Sequence, residues 1–410
     1  MLASAPMRTD QLDSYLRTLD ARVRAVRRDD AGVWLSLSDS VFYPTSGGQL
    51  HDTGRLEHDG GVARVVDVVA GGPEAVLHRV EGDVPAEGQA VHAEIDWDRR
   101  YRHMQRHTAQ HLLSQAFLHV RPAFETHSVS LTSADATVDL AGEPSDEDVR
   151  AAFDLARGWA YRTLPVRAFE VDEDAVAAYP LRRPPKVSGR IRLVEMGDVE
   201  LSACGGTHVR TTAETLPLLA LGRQRIRGGL TRVTFRAGLE AGRRAQRTVE
   251  LTDELARSFS SRWDELPSRV DALRDEVRAA RHEVEKARAA WAELRVLQAQ
   301  SAGRRIAGAS LVRVVVDDAA ALAALAEASA RVAPGAVALL AAREEDRATL
   351  LFQAGPEVPA GSDLRVALQA ALPHVEGRGG GKPDRVQGAG QNCSGVEDAL
   401  DAAEAAMSSP

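Results

Sequence analysis

Arg106-His107-Thr108-Ala109-Gln110-His111-Leu112-Leu113-Ser114 is the stretch on which the reading of this chain turns. It lies within 97–119, where Trp97, Tyr101, Met104, Leu112 and Gln115 recur mostly at spacings of three or four, which predicts a helix. His107 and His111 are then one turn apart, and both imidazoles leave one face. Two neutral imidazoles so placed can bind a single zinc ion. The pattern is close to the H-E-x-x-H of metalloproteases, but Thr108 stands where the glutamate base would be, so a protease would lack its base.

A second piece, Ser202-Ala203-Cys204-Gly205-Gly206-Thr207-His208-Val209, follows a predicted strand. Its glycines let the backbone turn sharply enough for Cys204 and His208 to face one ion. His107, His111, Cys204 and His208 together form a borderline-soft donor set suited to one zinc ion (Zn2+) per chain. Four protein ligands describe a closed, structural site, whereas a catalytic zinc keeps one position open. Either one ligand gives way or the ion positions substrate, and spacing leaves both open.

Outward from these pieces, residues 1–95 alternate short apolar runs such as Val33–Leu37 and Val91–Ile95 with Gly, Asp and Pro, which predicts the strands of a small β-barrel or sheet. Ser40-Val41-Phe42-Tyr43-Pro44-Thr45-Ser46-Gly47-Gly48-Gln49 lies in this part, and Ser-Gly-Gly is good turn chemistry. Strands at 128–131, 136–140, 187–201 and 230–235 and a helix over 145–163 make the middle block α/β with a mixed or antiparallel sheet. From Leu266 to Leu294 apolar residues alternate spacings of three and four through Val270, Leu273, Val277, Val284 and Trp291, a coiled-coil seam four heptads long. Pro267 suits the first turn of that helix. The seam pairs with a second copy, the favoured reading, or folds back on its own chain. Beyond Gly303 the order strand, helix, strand, strand, helix, Gly-rich loop and last helix predicts a compact α/β domain. The fold class is therefore α+β and multi-domain. It comprises a barrel-like domain (1–95), a zinc-containing α/β domain (96–245), a helical linker (246–302) and a C-terminal α/β domain (303–410).

The 410 residues carry 44% hydrophobic and 27% charged residues, which excludes a mostly disordered chain. No apolar run approaches about 18 residues, so no membrane partner is expected. Met1–Asp10 lacks a signal peptide's basic and apolar regions. Two cysteines form no disulfide framework, and the expected compartment is the cytoplasm. The net charge of −8 argues against indiscriminate nucleic-acid binding, but Arg210–Arg247 holds nine arginines against Glu214 and Glu240. Such a cluster is a solvated face or a phosphate-contacting surface.

Three elements in this order, Phe42-Tyr43 to Gly47-Gly48-Gln49, then His107/His111, then Cys204/His208, resemble the editing domain of alanyl-tRNA synthetase and its free-standing AlaX relatives. Val194–Asp198 and Gly228–Arg232 fit the same pattern. The segment Gly379–Gly390 resembles the Gly-rich motif of a DHH-associated C-terminal domain. It is no Walker A loop, since Glu376 occupies the first glycine position and Pro383 follows Lys382. Departures are Ser40 in place of a common Thr, Leu50-His51, and Lys382 and Arg385-Val386. With the barrel starting near residue 20, no room is expected for an aminoacylation domain upstream.

The resemblance implies a trans-editing hydrolase that cleaves the ester of mischarged tRNA(Ala), Ser-tRNA(Ala) above all, with Gly-tRNA(Ala) left open as a second substrate. On this reading Ser40 bonds the serine hydroxyl, Gln49 holds the substrate or the attacking water, and zinc orients or polarises. Gly380, Gly381, Lys382 and Arg385 contact the outer part of the tRNA or pack within their own domain. Arg225, Arg227 and Arg232 lie near the acceptor end. A homodimer would form through the 266–294 helix and the C-terminal domain. The rival reading is a zinc-stabilised tRNA-binding protein without catalysis; a two-metal phosphoesterase would need a D-H-H cluster that the chain lacks.

Overall fold

A computed structural model describes residues 8–71, 76–185, 189–306, 308–359 and 363–408. The chain divides into two compact units, Met1–Glu254 and Leu255–Pro410. The signal-peptide reading of residues 1–7 and the start of the 187–201 strand lie outside the described residues.

The first unit opens with a closed six-stranded barrel. Its strands are neighbours in the order Thr18–Asp29, Gly32–Leu37, Val76–Gly82, Gly61–Ala70, Gly54–His58 and Ala90–Ile95. Ala90–Ile95 closes it by pairing on both sides, for instance Leu19↔Ala93 and Leu56↔Ala93. Alternate residues face inward, so Leu35, Leu56, Ala63 and Ala93 are fully buried while their neighbours meet water.

Helix Trp97–Val120 follows, its start fixed by Asp96, whose side chain accepts from the Arg99 amide. It runs beside two antiparallel sheets rather than one. Four strands order as Leu218–Ile226, Leu230–Ala237, Ala136–Ala141 and Thr126–Ser130, and three as Glu200–Ala203, Arg190–Met196 and Val166–Asp172. The predicted 187–201 strand is a hairpin that turns at Gly197, whose φ of 53° favours glycine. Helix Asp146–Tyr161, capped reciprocally by Ser145 and Asp148, packs Phe153 against Phe117 in the shared core.

In the second unit, helix Leu266–Ser301 carries Pro267 in its first turn as expected. Its last third is anchored through Ala292 and Val296 against Val312, Leu325 and Leu340, and Leu266 in its first turn is also buried. The six-stranded sheet orders as Arg305–Ile306, Ala309–Val316, Ala336–Arg343, Ala348–Ala354, Arg385–Gly390 and Gly377–Lys382. Helix Ala321–Val332 covers one face, and Leu364–Ala371 with Val396–Ser408 covers the other. The glycine-rich segment expected to be a loop is the sheet's outer hairpin, with Gly379 opposite Gly388 and Lys382 opposite Arg385. A Cβ at Gly379 would lie 2.4 Å from the Gln387 carbonyl oxygen, so the glycines permit close strand approach. No helix among the described residues is long and apolar enough to cross a membrane.

Candidate metal centre and the cavity beside it

The helix brings His107 and His111 to one face, with ring centroids 5.2 Å apart. The loop after strand Glu200–Ala203 places Cys204 and His208 against them. One donor atom from each of the four residues lies within 4.8 Å of the others. Cys204 Sγ is 3.4 Å from His107 Nε2 and 3.3 Å from His208 Nε2. A tetrahedron with metal–sulfur and metal–nitrogen bonds of about 2.3 and 2.0 Å has a sulfur–nitrogen edge of about 3.5 Å, close to these separations.

The outer nitrogen of every histidine is already held. His107 Nδ1 meets Gln49 Oε1 at 2.8 Å. His111 Nδ1 meets Ser202 Oγ at 2.9 Å and Glu200 Oε1 at 3.1 Å. His208 Nδ1 meets Thr108 Oγ1 at 3.1 Å. With Nδ1–H donating to Gln49 and Glu200, Nε2 presents its lone pair inward, the arrangement that outer hydrogen bonds give to metal-binding imidazoles. Burial alone would raise the Cys204 thiol, but His107, His208 and His111 around it hold it well below the ordinary thiol range. Burial lowers His208 to about 3, while for His111 burial is outweighed by Cys204 and Glu200, which carry it up to about 9. The donor spacing and the outer hydrogen bonds fit a zinc ion.

Packing makes this loop specific. A Cβ on Gly206 would sit 2.1 Å from His107 Cε1, so no larger residue fits there. Buried Arg192 donates from Nη1 to the carbonyls of Cys204 (2.7 Å) and Gly206 (3.0 Å), fastening the loop from behind. Arg100 and Asp52, both fully buried, pair and join the helix to the barrel. Asp52 also accepts from the Tyr43 amide at 2.7 Å, and Arg100 Nη2 donates to the Val41 carbonyl at 2.7 Å. Sequence reasoning missed Asp52, Arg100, Arg192, Glu200 and Ser202. The available signal was an acid three residues past Gln49 and an arginine on the helix that carries the histidines.

Gln49 is fully buried and does not line the cavity; Oε1 faces His107, and Nε2 donates to Thr207 Oγ1 at 2.8 Å. Its amide thus bridges His107 and the Thr207 loop. Ser40 also does not line the cavity. Its hydroxyl lies 2.7 Å from His78 Nε2 and accepts from the Phe42 amide at 3.1 Å.

Beside the cluster lies a cavity of about 430 Å³. His107, His111 and Cys204 form part of its wall, with Tyr43, Gln110 and Arg183 among the others. The basic candidates scatter. Arg232 is committed to Asp139 through two bonds of 2.7 and 2.9 Å. Arg225 pairs weakly with Glu143 at 3.4 Å on an exposed face, and exposed Arg227 sits in the turn 227–229. Gly380, Gly381, Lys382 and Arg385 are exposed on the outer hairpin of the second unit.

Comparison with known proteins adds family relationships. Residues 16–99 match the model for tRNA synthetases class II (A), and residues 191–234 match the threonyl and alanyl tRNA synthetase second additional domain. An alanine–tRNA ligase of Methanopyrus kandleri is 30% identical over 90% of this chain and 41% of its own length. One from Frankia casuarinae is 31% identical over 94% of this chain and 45% of its length. The alanyl-tRNA editing protein AlaX-L of Pyrococcus horikoshii is 30% identical over 63% of this chain and 62% of its length. The chain thus spans less than half of those ligases. The C-Ala domain of Aquifex aeolicus alanyl-tRNA synthetase aligns at 18% identity and TM-score 0.24, covering 26% of this chain and 97% of that one.

Proposed function

We propose that this chain, which belongs to the alanyl-tRNA synthetase editing-domain family, hydrolyses the ester of tRNA(Ala) carrying the wrong amino acid, serine first and glycine second. The observation that carries this reading is that three of the four clustered donors, His107, His111 and Cys204, form part of the wall of a cavity of about 430 Å³, room for the aminoacylated end of a nucleic acid. The need for such an activity is physical. A pocket built for alanine gains only about 1–3 kcal/mol of discrimination from one small group, so a second site must do the sorting.

A bound zinc ion would supply Lewis acidity toward an ester carbonyl or a nearby water. The chain's own residues do the rest. Gln49, Thr108 and Glu200 keep the imidazoles aimed, Arg192 holds the cysteine loop, and Tyr43 and Gln110 shape the space for the amino acid. Exposed Lys382 and Arg385 in the second unit are proposed to touch the body of the tRNA.

The alternative is a structural zinc in a tRNA-binding protein, and the four-donor set favours it because such sites are closed. Purified protein incubated with Ser-, Gly- and Ala-tRNA(Ala), with and without chelator, separates the two. Faster ester loss from the seryl and glycyl forms, abolished by chelator, is expected of the enzyme. An unchanged ester half-life beside retained tRNA binding establishes the structural role.

A further inference from the structure

Beside the histidine donors the cavity wall carries an amide side chain, that of Gln110. Gln110 follows His107 by three residues and precedes His111 by one, so the helix places it beside both ligands at the cavity wall. It is 5% exposed. Its Nε2 donates to Ser114 Oγ at 2.8 Å, and Ser114 Oγ also accepts from Thr126 Oγ1 at 2.8 Å. Ser114 and Thr126 are themselves buried, so the amide plane is fixed from behind. Among the described residues no group bonds Gln110 Oε1, and it is not one of the sealed, unpartnered polar atoms. The chain that pins the nitrogen leaves the carbonyl oxygen of this cavity-lining residue without a hydrogen bond among the described residues.

We propose that Gln110 is the specificity-determining residue of this site: its Oε1 accepts a hydrogen bond from the side-chain hydroxyl of the misplaced amino acid, with Ser114 and Thr126 holding it in register. This rests on the deacylase reading above. A hydroxylated side chain satisfies Oε1, whereas glycine and alanine leave it to water. A rigid acceptor discriminates better than a mobile one because it cannot follow a substrate that lacks the donor.

The test compares kcat/KM on Ser-tRNA(Ala) and Gly-tRNA(Ala) for the zinc-loaded wild-type chain and for Gln110→Met, Gln110→Glu and Ser114→Ala. Gln110→Met keeps the length of the side chain and removes the acceptor. It should lower the serine value about ten- to a hundredfold and the glycine value less than about threefold, the scale of one substrate hydrogen bond. Gln110→Glu keeps an acceptor oxygen and should retain most of the serine preference. Ser114→Ala frees the amide and should lower the serine-to-glycine ratio by a smaller factor. If Gln110→Met fails to load zinc, the Ser114→Ala ratio decides. Equal losses on both substrates, or an unchanged ratio, overturn the role of Gln110 while leaving the deacylase intact. A wild-type chain inert on both substrates overturns the deacylase reading and this inference with it.

Discussion

Two helices of this chain met opposite fates. Leu266–Ser301 has an unbroken three-four apolar rhythm, yet among its described residues only Leu266, Ala292 and Val296 are buried, and Leu273, Val277, Val284 and Leu294 face solvent. Trp97–Val120 has a patchier rhythm and is buried along most of its length, including Arg100, Gln105, Arg106, His107, Gln110 and His111. Apolar periodicity therefore marks a face that wants a partner, not a face that has one. A helix burying polar side chains must supply each with a partner or be destabilised, and the partners here come from elsewhere in the chain. Gln105 donates to the Glu214 carbonyl, Arg106 to the Leu131 carbonyl and Glu240, and Arg100 to Asp52.

The contrast breaks most sharply at the buried ion pair. Arg100→Met removes the ion-pair partner of buried Asp52, which costs about 3–5 kcal/mol. Chemical denaturation of the zinc-loaded chain should show that loss. A cost below about 1 kcal/mol would mean that the polar face of this helix is not held as described.

A smaller effect comes from acid. Burial lowers His103 to about 3, with nearby Arg106 adding to the shift, and its Nδ1 has no partner. Unfolded, the ring binds a proton near 6.5 and folded near 3, so the unfolded state holds more protons between these values. Its contribution is complete above pH 6.5 and is lost as pH falls toward 3, by up to about 1.4 kcal/mol for each pH unit. His103→Leu should flatten that limb of the stability curve relative to wild type. Parallel curves would show that the ring already carries its proton when folded.

The donor residues were legible because i, i+4 histidines and a Cys-x-x-x-His turn state their geometry in the spacing. The barrel was legible because its strands alternate. What a polar side chain bonds to was not legible. Gln49 and Ser40 occupy the expected segment, but the partners that claim them, His107 with Thr207 and His78, are set by tertiary packing. Likewise Gly377–Lys382 shows no alternation, because a strand of glycines has no side chains to alternate, and it reads as a loop although it is a sheet edge.

The smallest effect belongs to the other helix. Val277→Ser on its exposed seam should change stability by less than about 0.5 kcal/mol at low protein concentration, as for other solvent-facing positions. A larger loss that grows with protein concentration, read by unfolding and light scattering together, would show that a second copy covers the seam.

The claim beneath all of these is that the polar face of Trp97–Val120 and the cysteine loop close around one metal ion. X-ray absorption at the zinc edge of the purified, zinc-loaded chain tests it directly. The account predicts one zinc per chain with a single sulfur neighbour at about 2.3 Å and nitrogen neighbours at about 2.0 Å, and loss of the sulfur shell in Cys204→Ser. A chain that takes up no zinc, or zinc without sulfur in its first shell, would contradict it.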